Sequence, residues 1–195
     1  IYKDPNDTVA KLLTKWGFGS IQTSSDYKLS NGGAVATKNK DGWTGAIADG
    51  AGFAPMTAGV HFWELEVLSK DAGRLSRGDW CFGVCRPGIV LNDGKVFYYR
   101  DDTWMMYQHD HPSWDLYCDT CKGTGMTLDP LPKMPDGSRI GLLLDLDNGG
   151  TLTMYLDNKP GGTIAEGLVG PLLPCISSWY KDKVIKIHGG LAPPQ

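Results

Sequence analysis

A predicted β-hairpin between residues 136 and 162 constrains this chain more than any other stretch. Apolar residues recur at every second position from 140 to 146 and again from 152 to 156, which is the period of strands with one buried face. Asn148-Gly149-Gly150 lies between them and tolerates the positive φ of a hairpin turn. A second turn is predicted at 157–162, because proline lacks a ladder donor and glycine adopts unusual backbone angles. A hairpin alone is marginally stable, so its aliphatic face must pack against a second sheet.

Short strand-like runs separated by turn signals fill much of the remaining sequence. They are rich in aromatic and β-branched residues, which favour strand over helix, and Asn-Gly and Asp-Gly turn signals recur at the spacing of a sandwich. The runs are residues 34–37, 60–68, 80–85, 96–99 and 184–188. We therefore predict an all-β fold, an antiparallel two-sheet β-sandwich, with no strands assigned in the aromatic and proline-rich segment 100–133.

The run from 60 to 68 predicts which side chains face the core. Trp63, Leu65 and Val67 share one face of the strand, and we predict that this face is buried. Glu64 and Glu66 alternate with them and are predicted to point to water as solvated charges without an acid–base role.

One short helix is predicted in front of the strands. Residues 9–16 carry apolar side chains at helical spacing, and Asp7 or Thr8 is a suitable N-cap. Such a helix most simply covers an open edge or end of a sheet. We divide the chain into an N-terminal extension, residues 1–24, and a β-sandwich domain, residues 25–195.

Composition excludes several classes of partner. The 195 residues are 41% hydrophobic, enough for the core of a single domain. A net charge of −3 and the lack of a basic block argue against nucleic acid and anionic membranes. No apolar run reaches the roughly 20 residues of a membrane span, and no leader pattern opens the chain. Five cysteines, an odd number, favour a reducing compartment, so we expect a cytoplasmic or nuclear protein. We also expect a monomer as an isolated domain and, because the sequence begins at Ile1 without a methionine, a piece of a longer protein.

The order of several motifs resembles that of a known domain family. The motifs are Val60-His61-Phe62-Trp63-Glu64-Leu65-Glu66-Val67, Trp80-Cys81-Phe82-Gly83-Val84, Gly137-Ser138-Arg139-Ile140-Gly141-Leu142, Asp145-Leu146-Asp147 and Gly170-Pro171-Leu172-Leu173-Pro174. In this order they resemble a SPRY domain over about residues 25 to 190. The resemblance implies a curved, concanavalin-like jelly roll that acts as an intracellular adaptor or substrate-recognition module. It implies that loops at one end bind a peptide or partner surface, without enzyme activity or cofactor.

The end of the chain is similar to the SPRY and SOCS-box proteins in particular. Cys175-Ile176-Ser177-Ser178-Trp179 matches their pattern, in which a tryptophan at the position of Trp179 helps form the peptide pocket. Asp41-Gly42 matches a pair in a pocket loop of that subfamily, and Trp114-Asp115-Leu116 matches a further run. Departures accompany these matches. The Arg-Pro that precedes the Asp-Gly loop in that subfamily is missing, and Ala36-Thr37-Lys38-Asn39-Lys40 stands in its place. The tyrosine that follows the Trp-Asp run in the subfamily's pocket would fall near Lys122, and no SOCS box follows. Neither the peptide preference nor the ligase recruitment of that subfamily is therefore implied.

The aromatic residues of the loops predict a binding surface independently of the resemblance. Trp43 lies in a Gly-rich turn, and Trp179-Tyr180 follows a predicted strand. Together at one end of a sandwich they would form an aromatic patch with a polar rim, as in a binding hot spot. The alternative is that each packs on its own sheet edge. The predicted partner-binding residues are Asp41, Gly42, Trp43, Thr44, Trp179 and Tyr180.

The other tryptophans are predicted to have structural roles. Trp63, Trp80 and Trp114 lie in strand-like runs and are predicted core residues. For Trp104, with Met105 and its neighbours, two interpretations stay open, namely core packing and a second adaptable surface.

Three rival kinds of site are also considered. Cys81, Cys85 and the Cys118-Asp119-Thr120-Cys121 motif would supply four thiolates to zinc, although buried thiols explain the first two as well. Asp145-Leu146-Asp147-Asn148-Gly149 has clustered oxygens that suit calcium, but a hairpin turn explains the same residues. A lectin in which Trp43 or Trp179 stacks on a sugar remains open. No nucleophile, nucleotide or triad motif is found, and we expect no enzyme.

Overall fold

The computed structural model of the protein describes residues 16–19, 23–50, 53–68, 80–91, 96–97, 100–108, 114–117 and 137–194. Twelve strands and one turn of 3₁₀ helix, Asn31–Gly33, are found within them. The strands are β1 Tyr27–Ser30, β2 Val35–Lys38, β3 Thr44–Ile47, β4 Val60–Val67, β5 Trp80–Cys85, β6 Thr103–Gln108, β7 Trp114–Tyr117, β8 Arg139–Asp145, β9 Thr151–Leu156, β10 Lys159–Ala165, β11 Leu173–Ser178 and β12 Val184–Gly189.

The strands form two antiparallel sheets, as predicted. The order in the seven-stranded sheet is β1-β2-β12-β4-β8-β9-β10, and the order in the five-stranded sheet is β3-β11-β5-β6-β7. A single apolar cluster fills the space between the sheets, and it includes Trp63, Trp80, Phe82 and Leu142, all 0–1% exposed. The predicted core positions Trp63 and Trp80 are therefore confirmed. Met105 and Met106 are also fully buried, which favours core packing over an adaptable surface for that run.

The predicted hairpin is confirmed in position. Strands β8 and β9 pair with Ile140 opposite Leu156 and Asp145 opposite Thr151. At its tip Gly149 has a φ of 86°. The turn predicted after it is wrong in extent, because only Asp157 and Asn158 form it and β10 follows at once. This strand accommodates a proline because it lies at the edge of the sheet and has register shifts.

The carboxylate of Asp145 is engaged in the hairpin turn itself, whereas Asp147 Oδ1 accepts a hydrogen bond from the Gly59 N–H at 2.7 Å. Asp145 Oδ1 accepts hydrogen bonds from the backbone N–H groups of Asp147 (3.0 Å) and Asn148 (2.9 Å), and Oδ2 accepts one from the Asn148 amide (2.9 Å). The Asn148 bonds hold the pKa of Asp145 below its ordinary value. These contacts account for Asp145 as a turn residue.

Glu64 departs from the prediction for the outer face of β4. It is 6% exposed rather than solvated, and its Oε2 lies 2.8 Å from Nη1 of Arg139 on β8. Glu66 is less buried, and its Oε2 lies 2.7 Å from Nε2 of His188 on β12. Charged residues on neighbouring strands cover these carboxylates, which the sequence of β4 alone does not reveal.

The Glu66–His188 contact predicts an acid sensitivity. The hydrogen bond from His188 is the largest influence lowering the pKa of Glu66 below its ordinary 4.5. A depressed pKa adds stability above the unfolded-state pKa, and this stability is lost as pH falls through the folded-state value. We expect urea unfolding to show that wild type loses more stability than His188→Phe between about pH 7 and about pH 3. Because the pair is partly exposed, the difference between the two losses should be less than about 1 kcal/mol. Equal losses of stability in wild type and His188→Phe would contradict a contribution of the Glu66–His188 contact to acid sensitivity.

The predicted N-terminal helix, residues 9–16, lies outside the described residues except for Trp16 at its end. The next described residues, 17–19 and 23–24, cover the edge strand of the five-stranded sheet. Gly19 N–H donates to the Ile47 carbonyl at 2.9 Å, and Ser24 N–H donates to the Gly45 carbonyl at 3.0 Å. These contacts protect β3 from pairing with another chain.

A second apolar cluster lies on the outer face of the five-stranded sheet. Cys81, Cys85 and Cys175 are buried there as reduced thiols, with Ile89 and Phe97 from the β5–β6 connection. Burial, with Cys85 nearby, raises the pKa of Cys175, so the Cys175 thiol is a poor nucleophile. Cys118 and Cys121 of the zinc hypothesis lie outside the described residues. Within the described ranges, no three His, Cys, Asp or Glu side chains are grouped to hold a metal ion.

Candidate functional site

Two loops cross between the sheets at the same end of the sandwich. Residues 39–43 lead from β2 to β3, and residues 179–183 lead from β11 back to β12. The strands on both sides are paired, with Ser178 opposite Thr44 and Val184 opposite Thr37. The two loops therefore run side by side.

In the parts of the chain that the structure describes, no helix has the length and hydropathy that a membrane crossing requires.

Backbone hydrogen bonds tie these loops into one unit. Gly42 N–H donates to the Trp179 carbonyl at 2.7 Å, and Lys181 N–H donates to Asp41 Oδ1 at 2.8 Å. Gly42 has a φ of 127°, which residues with a side chain rarely adopt. The Asp-Gly pair thus joins the two loops, because the Asp41 carboxylate caps the 179–183 loop and Gly42 adopts the positive φ at which its N–H donates to Trp179.

The predicted tryptophans are brought together by this pairing of loops. The ring centroids of Trp43 and Trp179 lie 5.9 Å apart with an interplanar angle of 58°, a tilted arrangement that aromatic pairs favour. Trp179 remains 41% exposed, whereas Trp43 is half-buried and packs on the outer apolar cluster. We call Trp43 and Trp179 the aromatic patch. Tyr180, the next residue along, is half-buried in the same loop.

Thr44, the residue after the patch tryptophan Trp43, is held from both sheets. Tyr27 Oη on β1 donates to its carbonyl at 3.1 Å, and Ser177 Oγ on β11 donates to the same oxygen at 2.9 Å. Lys38 Nζ on β2 donates to the Thr44 hydroxyl. The start of β3, and with it the loop that carries Trp43, is therefore fixed by three side chains.

The charge of Lys38 is buried beneath the loops. Its side chain is 0% exposed, its Nζ lies 3.6 Å from Asp26 Oδ2, and the same nitrogen lies 4.7 Å from the centroid of the Tyr27 ring. Burial lowers the pKa of Lys38, and Asp26 acts in the opposite direction. Burial also favours the neutral form of Tyr27, whose pKa it raises. The sequence analysis missed Tyr27, Lys38 and Ser177, although a lysine in phase with the inward-facing Ala36 was a signal for Lys38.

The surroundings of the patch are polar and mostly exposed. Asp41, Lys181 and Asp182 are exposed beside it. A rigid aromatic centre with a charged rim is typical of protein-binding surfaces. The other predicted pocket elements are not placed: the side chains of Trp114, Asp115 and Leu116 on β7 and the segment around Lys122 lie outside the described part of the chain.

Comparisons with known proteins place this fold. No family model matches the sequence. The chain is 30% identical over 165 residues to the E3 ubiquitin-protein ligase TRIM9 of Drosophila melanogaster, a match that covers 82% of this chain and 20% of that protein. It is 27% identical over 133 residues to mouse butyrophilin subfamily 1 member A1, covering 66% of this chain and 22% of that protein. The chain thus spans about a fifth of each relative.

Solved structures show the same architecture. The SPRY domain of human HERC1 superposes with a TM-score of 0.68 at 18% identity, covering 90% of this chain and 99% of that one. The PSpry domain of TRIM65 superposes with a TM-score of 0.62 at 15% identity, covering 96% and 97%. These superpositions establish a shared fold, and at identities of 15–18% they carry no information on the site.

Proposed function

The chain has the fold of a SPRY domain, and from this premise we propose that it is a non-catalytic protein-interaction module. We propose that Asp41, Gly42, Trp43, Thr44, Trp179 and Tyr180 bind a short segment of a partner protein. The observation that carries the proposal is the contact between Trp43 and Trp179 on two loops that are hydrogen-bonded together.

The exposure of Trp179 supports binding over packing. Much of its large aromatic side chain remains in water at 41% exposure, while other tryptophans such as Trp63 and Trp80 are fully buried. Tryptophans that a partner covers are the commonest hot spots in interfaces. A partner that covers Trp179 would bury apolar area. Because the two loops are already hydrogen-bonded together, little conformational freedom is lost on binding.

The small share of each relative that the chain matches supports a role inside a longer protein. The Drosophila relative is named as an E3 ubiquitin-protein ligase, and the chain matches a fifth of it. We propose that the domain recognises a partner or substrate for a larger protein. We also propose a reducing, intracellular location, which the three buried reduced thiols support.

A pull-down followed by mass spectrometry tests the proposal. Wild type and Trp179→Ala are immobilised at equal amounts, with Val169→Ala as the control. Val169 is an exposed residue, 68% accessible, in the connection before the opposite end of β11. We expect one or a few proteins to be retained by wild type and Val169→Ala and lost from Trp179→Ala. Equal retention by all three would overturn the proposed site.

A lectin is the second candidate, and the same exposed Trp179 favours it, since indole rings also stack on sugars. A glycan array separates the two functions. Retention of a glycan by wild type and its loss in Trp179→Ala would assign a sugar ligand to the patch. For the zinc-stabilised alternative, elemental analysis of the purified protein gives a direct answer.

A further inference from the structure

Lys38 carries a fully buried charge below the aromatic patch, and no part of the proposed binding uses it directly. Its side chain shares the inner face of β2 with Ala36, and Tyr27 lies directly opposite it on β1. The ammonium group therefore enters the sandwich at its end, between the two sheets. A charge in this position is costly unless hydrogen bonds and a counter-charge compensate it.

The contacts of Lys38 join the two sheets below the patch. Asp26, 3.6 Å away, supplies the counter-charge, and the Tyr27 ring lies under the ammonium. From there Nζ reaches across to the hydroxyl of Thr44 on β3. Backbone bonds continue the link to the other loop, because Asp182 N–H donates to the Lys38 carbonyl and Lys38 N–H donates to the Lys183 carbonyl, both at 2.8 Å.

Lys38 thus contacts both loops that carry the tryptophans. Its backbone holds the loop of Trp179, and its side chain holds the residue that follows Trp43. Buried polar networks whose members are satisfied hold their surroundings in one arrangement. A site held this way keeps its geometry before a partner arrives.

We propose that Lys38 is a positioning residue for the aromatic patch. Its ammonium group fixes the Thr44 side chain and thereby sets the place of Trp43 against Trp179. The functional meaning of this role rests on the proposed partner binding, but the role itself is a property of the free protein.

Fluorine NMR of protein labelled with 5-fluorotryptophan tests the inference without a partner. The chain has 7 tryptophans, and Trp43→Phe and Trp179→Phe assign the two signals of the patch. We expect Lys38→Met, which keeps the length of the side chain and removes its charge, to shift these two signals and leave those of Trp63 and Trp80 in place. Lys40→Met is the matched control, because Lys40 is exposed two residues further on, and we expect it to shift neither.

Variants of Thr44 separate positioning from a general loss of structure. Thr44→Val removes the hydroxyl at nearly constant shape and should shift the same two signals, whereas Thr44→Ser keeps the hydroxyl and should not. Combined with Lys38→Met, Thr44→Val should add no further shift, because Lys38→Met has already removed the hydrogen bond that Thr44→Val removes.

The inference is overturned if folded Lys38→Met leaves both patch signals unchanged, or shifts all tryptophan signals alike. Should Lys38→Met not fold, the Thr44 variants decide, and identical signals in Thr44→Val and wild type overturn it. Failure of the proposed function looks different. In that case the signals shift as expected, and Trp179→Ala retains every protein that wild type captures.

Discussion

Replacement of Trp63 by alanine is expected to lower the free energy of unfolding by about 3–5 kcal/mol, because the change opens a large cavity in a packed core. Trp63 is 0% exposed on β4, which lies between β12 and β8 in the seven-stranded sheet. Its ring stacks on Trp16 with centroids 5.8 Å apart. Truncation therefore removes contacts from the inter-sheet core and from the segment that precedes the first strand.

Urea unfolding followed by circular dichroism measures this loss, and Val60→Ala is the matched control. Val60 begins the same strand but is 50% exposed, so its truncation should change the stability by less than about 0.5 kcal/mol. Similar stabilities for the two variants would contradict the placement of β4 at the centre of the sandwich.

Replacement of Trp179 by alanine is expected to weaken binding of a captured partner by about 2 kcal/mol, or roughly thirtyfold in Kd, with little change in stability. The reason is that Trp63 is buried and Trp179 is exposed. Trp63 stabilises the fold, whereas Trp179 lies beyond the end of β11 and exposes 41% of its surface. Isothermal titration calorimetry and thermal unfolding of the same preparation measure both effects. A variant that fails to fold would place Trp179 among the core residues instead.

The sheets were predictable where one face of a strand is uniformly apolar. Strands β8 and β9 alternate with a period of two and are separated by a glycine turn, so sequence alone gives their pairing. Strand β10 was missed because Lys159-Pro160-Gly161-Gly162 has the composition of a turn. Only its place at the edge of the sheet makes a strand possible there.

Short strands with small or polar residues were also beyond prediction. Strand β3, Thr44-Gly45-Ala46-Ile47, carries almost no periodic signal. It forms because β11 pairs with one side of it and the N-terminal residues cover the other. Such strands depend on long-range pairing, which a local pattern does not contain.

The candidate site was predictable in its aromatic residues and not in its support. A tryptophan in a Gly-rich turn is conspicuous, and the structure brings Trp43 to Trp179, one of the two arrangements that the sequence left open. Their binding role stays a prediction. Lys38 gave a weaker signal, because a lysine at the end of a strand usually extends into solvent. Its burial depends on two other segments, with Asp26 and Tyr27 in one and Thr44 in the other.

The central claim is that Trp43 and Trp179 form one binding surface, and a double-mutant cycle on partner affinity tests it most directly. Calorimetry gives the binding free energies of wild type, Trp43→Ala, Trp179→Ala and the double variant. We predict that both single variants bind more weakly and that the double variant loses less than their sum, by about 0.5 kcal/mol or more, because each change disrupts a shared contact. Losses that add, or a single variant that binds like wild type, would contradict the claim.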